Sequence, residues 1–172
     1  MNYSQDQIAK MLIATTENTL KILLKTQKWA AENNMEDSIL LSSKLAPDMF
    51  PLVKQVQIVS DNLKGILSRM TMQDAPVMED SETTLPQLIE RLEKTLEYAR
   101  AVDQTSLGNS ENQKIILPYM PTKFLETVDY IFCFAIPNFY FHASAIYCIV
   151  RHIGVPVGKM DFIGSLNLQD LN

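Results

Sequence analysis

Glycine, cysteine and histidine are scarce in this chain: five, two and two among 172 residues. So few glycines leave no phosphate-cradling loop, and neither a P-loop, a G-x-G-x-x-G fingerprint nor a nucleophile elbow is present. The two cysteines, Cys133 and Cys148, make no C-x-x-C pair and no zinc-knuckle spacing. Both lie in apolar surroundings and read as buried free thiols of a reducing cytoplasm, not as a disulfide framework. Basic runs are missing as well. At a net charge of −5 the chain lacks the clustered Lys and Arg that a nucleic-acid partner requires. Long hydrophobic runs are absent too: the most apolar stretch, Tyr130 to Ile136, is too short for a membrane span and is interrupted by Pro137 and Asn138. The polar opening, Met1 to Gln7, has no Lys or Arg and does not read as a secretory signal. These absences predict a soluble cytoplasmic chain with neither nucleic acid nor membrane as partner.

What is present is helical periodicity. Hydrophobic residues make up 47% of the chain, enough for one domain over residues 1–172 with a substantial core. Ser4-Gln5-Asp6-Gln7 is a capping-box pattern that opens a long first helix, predicted to end at Glu32-Asn33-Asn34. Its stripe holds Ile8, Met11, Leu12, Leu20, Ile22, Leu23 and Leu24, with Thr15 and Thr19 beside them. A second helix is expected from about Pro47-Asp48, with Asp48 complementing the helix dipole and Pro51 harmless in the first turn. Thr84-Leu85-Pro86-Gln87 is another capping box, and its helix carries Leu85, Leu88, Ile89, Leu92, Leu96, Ala99 and Val102 on one face, stopping before Ser106-Leu107-Gly108-Asn109. A fourth helix, capped by Thr127, should run to Ile153, kink at Pro137 and end at Gly154 as a left-handed cap. Long helices joined by polar connectors predict an all-α, up-and-down four-helix bundle. Gln113–Pro118 and Thr122–Glu126 could pair as a small β-hairpin between helices three and four. The acidic loop with Glu79, Asp80 and Glu82 lacks the alternating ligands and glycine of a calcium loop, and reads as solvated. The tail should fold back over the bundle on Phe162 and Ile163, with Lys159 and Asp161 as a candidate pair.

Chemistry can be sought on the fourth helix, which carries both histidines. At about 100° per residue, His142 falls on one side with Asn138, Ala145, Ile146, Ile149 and Ile153. His152 lies about 15 Å further along the axis, so the two cannot share a metal from one helix. His142 is a candidate ligand or base, or a buried neutral imidazole satisfied by Asn138, Gln55 or a carbonyl. His152 suits the negative end of the helix dipole. Tyr140, Tyr147 and Arg151 form an opposite stripe, fit either for a homodimer interface or for cover by the tail.

The four amphipathic helices, the run from Leu45 to Gln57, and the motifs Pro137–His142 and Arg151–Gly164 resemble a bacterial family of unknown function in the DinB/YfiT-like superfamily of metalloenzymes. The resemblance implies an up-and-down four-helix bundle, often dimeric. Better-known members of that superfamily hold a divalent metal with three histidines, one from the second helix and an H-x-x-x-H pair from the last. Some relatives transfer groups to low-molecular-weight thiols. Matching the helix starts places Gln55 at the second-helix position; matching the Arg151 region places Asn138 and His142 at the H-x-x-x-H pair. Gln and Asn carbonyls are weak ligands for zinc or nickel. The expectation is therefore a metal-free polar pocket of Gln55, Asn138 and His142 that takes an unknown small molecule. Two alternatives stand beside it: a transferase or hydrolase using His142 with a weak divalent metal or a thiol, and a dimeric structural or interaction protein without a small ligand.

Overall fold

Helical stripes spaced by three and four residues wind most of this chain, whose computed structural model describes residues 5–102 and 113–171. In order they form α1 (Gln5–Glu32), a short α2 (Asp37–Ser42), α3 (Leu52–Thr71), α4 (Leu85–Ala101), a two-stranded hairpin, α5 (Thr127–Asp129), a π-helical stretch over Tyr130–Ala135, α6 (Ile136–His152) and α7 (Lys159–Ile163). The long helices α1 and α3 each pack against both α4 and α6, and also touch one another across the middle. This is the expected all-α four-helix bundle. Every residue of the stripe read on α4 is buried, from Leu85 to Val102. Each large apolar side chain so buried contributes about 1.5–3 kcal/mol relative to exposure. The α1 stripe is less clean. Met11 and Leu24 are exposed, while Thr15, Thr16, Thr19 and Thr26 are buried. Each of these hydroxyls donates to the carbonyl one turn back, so the threonines enter the core with their polar atom satisfied.

The helix ends follow their sequence signals. Thr84 and Gln87 form the capping box of α4, and Asp37 of α2 also accepts from the amide of Leu85 at 3.1 Å. At the end of α1, Asn34 takes the left-handed conformation, φ 51°, and the Met35 amide reaches back to Ala30 O at 2.9 Å. Gly154 does the same for α6 at φ 108°. Its amide bonds Arg151 O at 3.2 Å, and the amide of Val155 bonds Val150 O at 3.0 Å, a Schellman closure with both valines buried. The Ser4 half of the first capping box and the stop at Ser106–Asn109 lie outside the described residues.

Two helix starts differ from expectation. α3 begins at Leu52, with Pro51 as an extended N-cap, so Asp48 lies in the preceding turn and not at the helix terminus. A proline disfavours helical backbone at the residue before it, which delays the start to beyond Phe50. In the last helix, Thr127 does not cap; its hydroxyl donates to Gln113 O at 3.1 Å and ties the helix to the hairpin. Pro137 leaves no sharp break. It has no N–H for the carbonyl of Cys133 and its ring crowds that group, and the six residues over Tyr130–Ala135 widen into π-helix instead. The run Thr127–His152 is long and apolar enough by composition to cross a membrane. Its inner face, with Phe139, Ala143, Ile146 and Val150, is sealed against the bundle, as a core helix requires. The outer face explains a correction: Cys133 and Cys148 are exposed, not buried, because they share that face with Phe132 and Phe141.

The hairpin forms as expected, with Lys114 opposite Glu126 and Ile115 opposite Leu125. The tail folds back through α7. Phe162 meets Tyr147 at 5.9 Å between ring centroids, whereas Ile163 stays 42% exposed. The firmer anchors are Val155 and Val157, both fully buried. Asp161 pairs with Lys25 of α1, not with Lys159.

The acidic loop is the larger correction. It is not simply solvated: it wraps a buried arginine on α4. The Arg91 side chain is 2% exposed and reaches Glu82 at 2.8 Å, Asp61 at 2.9 Å and Asp80 at 3.0 Å. It also donates to Glu79 O at 3.0 Å. Lys54 holds Asp80 at 2.5 Å, Gln57 donates to Glu82 at 2.8 Å, and Lys64 donates to Pro76 O at 3.2 Å. The loop between α3 and α4 is thus a strap fastened at several points.

Candidate functional site

Helical period puts His142 on the inner face of α6, and α3 runs against that face. Gln55, in the first turn of α3, and His142 are 1% and 7% exposed. Their side chains meet, with 2.6 Å between Gln55 Oε1 and His142 Nδ1. The proton's position follows from the other end of the amide. Gln55 Nε2 donates to Phe50 O at 3.1 Å, which leaves Oε1 facing the ring as an acceptor. Nδ1 must therefore be the donor, and Nε2 keeps its lone pair. Burial holds the imidazole pKa below its ordinary 6.5, so the ring is neutral at pH 7. Phe141 stands edge-on to it, 5.2 Å between centroids.

Asn138 lies one turn earlier on α6 and faces a different partner. Its Nδ2 donates to Asn62 Oδ1 of α3 at 3.1 Å. That leaves Asn62 Nδ2 buried with no hydrogen-bond partner. Beside this pair opens a cleft of about 340 Å³, walled by α3, the π-helical stretch and Leu117–Tyr119 of the hairpin connection. Arg69 lies in it, 5.5 Å from the centroid of the Tyr130 ring, with Nη1 donating to Gly65 O at 2.8 Å. A Cβ on Gly65 would stand 2.7 Å from that same Nη1. Gly in a helix interior is about 1 kcal/mol worse than Ala, and here its absent side chain gives the guanidinium room to lie back on its own helix. Burial raises the Tyr130 and Tyr119 hydroxyl pKa values, and the Arg69 charge offsets part of both shifts.

The three residues nominated from sequence therefore divide. Gln55 and His142 are bonded partners; Asn138 belongs to the Asn62 cleft further along the same α3–α6 seam. Asn62 and Arg69 were not read from the sequence, although Asn62, Gly65 and Arg69 recur at i, i+3 and i+7 and so share a face of α3. A larger groove of about 510 Å³ lies beneath the strap, but Arg91 there is already matched by Asp61, Asp80 and Glu82. Tyr140 and Tyr147 are both half-buried within the chain. The first shares a hydrogen bond with Thr15 of α1 at 3.1 Å, and the second packs on Phe162. Arg151 is exposed.

Residues 5–163 match the domain of unknown function DUF1993. The chain belongs to the DUF1993 family. No curated protein matches it. Among solved structures, a DinB family member protein from Shewanella denitrificans is similar, with a TM-score of 0.86 and 35% identity over 98% of this chain and 93% of that one. A DUF1993 protein is thus built on a DinB-like bundle. The three-histidine metal site implied by the superfamily resemblance does not fit the side chains at these positions. Gln55 Oε1 is taken up by the imidazole N–H, Asn138 turns to Asn62, and His142 Nε2 is left as a single good donor. Among the described residues no three His, Cys, Asp or Glu side chains converge as a metal site would need.

Proposed function

We propose that this DinB-like bundle binds a small organic molecule in the cleft at Asn138, without a tightly held divalent metal. The cleft carries the reading. Its volume is at the small end of the roughly 300–1,000 Å³ typical of ligand pockets. It joins aromatic walls to a few polar groups, the usual make-up of a small-molecule site. The hydrogen bonding of Gln55 and Asn138 to other side chains supports the metal-free part. Elemental analysis of the purified protein should give zinc, nickel and iron well below one equivalent, and a neutral and charged fragment screen by NMR should perturb the amides of Asn62 and Asn138. Stoichiometric metal, or fragments that leave those amides unmoved, would overturn the reading. The competing reading makes His142 the ligand or base of a metal- or thiol-dependent transferase or hydrolase. It requires that His142→Ala abolish binding, which the cleft reading does not.

A second reading, a homodimer, is favoured by one observation on the outer face of the last helix. Val128, Phe132 and Phe141 are 65%, 47% and 57% exposed there, beside Pro137 and Cys148. This face, not the one with Tyr140 and Tyr147, is the candidate for isologous contact. Light scattering should find a dimer that Phe141→Glu converts to monomer; a wild-type monomer at all concentrations would remove the idea.

A further inference from the structure

We propose that the cleft at Asn138 is a site for a small monocarboxylic acid, with Arg69 and Asn62 as its recognition pair. The inference rests on the reading that this cleft binds a small molecule, and it adds the ligand's charge and shape.

Arg69 has no carboxylate partner among the described residues, in contrast to Arg91 and Arg100, which are both paired. Its Nη1 donates to the carbonyl of Gly65, in its own helix, and the guanidinium also hydrogen-bonds the Tyr130 hydroxyl. With five N–H donors, the guanidinium keeps N–H groups beyond these two bonds, and its fork matches the geometry of a carboxylate. Two turns earlier on the same face, Asn62 Nδ2 is a buried donor with nothing to donate to. Buried donors nearly always find a partner, so an orphan at the wall of a cleft marks a place for an acceptor. Turning Asn62 alone does not remove the problem, since it would set Nδ2 against the Asn138 Nδ2 donor that its Oδ1 now accepts from at 3.1 Å.

The walls select the rest of the ligand. Phe134 lies 6.4 Å from Tyr119 and 6.1 Å from Tyr130, ring centroid to centroid, which suits a flat apolar body. The charge of the site argues for one negative charge and not two. Asp61 also lines the cleft. Although it is held by Arg91 at 2.9 Å and Lys64 at 3.1 Å, its carboxylate would repel a phosphate dianion. Gly65 completes the arrangement, because a methyl group at that position would push Arg69 off its perch.

Sodium benzoate is a suitable probe, with benzamide as its neutral isostere and inorganic phosphate as the dianion. Titration calorimetry on the full chain should show benzoate binding at one equivalent, with benzamide and phosphate at least about tenfold weaker, as loss of a charge-assisted hydrogen bond implies. Arg69→Met and Asn62→Leu should each weaken benzoate by about tenfold or more. Gly65→Ala supplies the control for folding: it favours the helix, yet it should weaken benzoate by displacing Arg69. Benzamide or phosphate binding as tightly as benzoate, or benzoate surviving Arg69→Met, would overturn the proposal. If neutral fragments shift the Asn62 and Asn138 amides while benzoate does not, the ligand class is wrong and the small-molecule reading stands. If no fragment of any charge reaches the cleft, both fall.

Discussion

Replacing Arg91 by methionine should destabilise the protein by about 2–3 kcal/mol, below the roughly 3–5 kcal/mol for breaking a fully buried pair because Asp61 and Asp80 remain partly solvated. The side chain is 2% exposed and stands among Asp61, Asp80 and Glu82. Methionine fills much of its volume but leaves three carboxylates facing one another, with Glu82 mostly buried and Asp61 and Asp80 at 48% and 38% exposure still reached by water. Lysine should rescue only part of the loss, because a single ammonium cannot copy a fork that reaches three carboxylates and Glu79 O. Denaturant titration reads both variants, and a change below about 1 kcal/mol for Arg91→Met would mean the strap is fastened elsewhere. The pH dependence is a second readout. Burial pushes the Asp80 and Glu82 carboxyls up, but Lys54 and Arg91 more than offset this at Asp80, and Arg91 and Gln57 do so at Glu82. Both folded pKa values therefore lie below their unfolded ones. Their contribution is fully present above about pH 4–4.5 and is lost as pH falls through the folded values. The gap between wild type and Arg91→Met should be constant near neutrality and narrow in acid.

That network shows where sequence reading stops. The stripes, the capping box at Thr84 and the left-handed cap at Gly154 are local signals, set by residues within a turn or two of each other, and each was legible. Arg91 follows Leu88 by three residues and precedes Thr95 by four, so it sits at the border of an apolar stripe where a long side chain can turn either way. Its partners lie 9, 11 and 30 residues earlier in the chain, at Glu82, Asp80 and Asp61. No periodicity couples those positions, and an acidic loop looks the same in sequence whether it is wet or pinned. The site divides along the same line. Gln55 and His142 could be brought together because both sit on apolar faces of long helices. Asn138 shares His142's side of the wheel, but one turn along the helix was enough to give it a different neighbour, Asn62. Arg69 was missed because its placement depends on space, the missing side chain of Gly65, and not on pattern. Tyr140 and Tyr147 illustrate the converse. Their stripe was legible, but which surface covers it depended on where α1 and α7 pack.

Gln55→Leu should remove about 1–3 kcal/mol, the penalty for stranding a buried donor, because His142 Nδ1–H would lose its acceptor at 2.6 Å. The backbone carbonyl of Phe50 loses its amide donor in the same step. His142→Leu in the Gln55→Leu background should recover part of the loss, since two apolar partners of similar shape leave no imidazole unsatisfied. Proton linkage separates this from ordinary packing damage. Burial depresses the folded pKa of His142, so the unfolded chain takes up a proton that the native ring refuses. The stability this protects is present above the unfolded value of about 6.5 and is lost as pH falls through the folded value. The Gln55 carbonyl bonds the cationic ring more strongly than the neutral one, so its removal should lower the folded pKa further and extend the loss to more acidic pH. NMR titration of the His142 ring protons reads the pKa, and denaturation at a series of pH values reads the stability. A Gln55→Leu variant that left both unchanged would show that the imidazole finds another acceptor. A folded pKa raised by the substitution would reverse the assigned direction of the bond, with Nε2 and not Nδ1 holding the proton of the neutral ring.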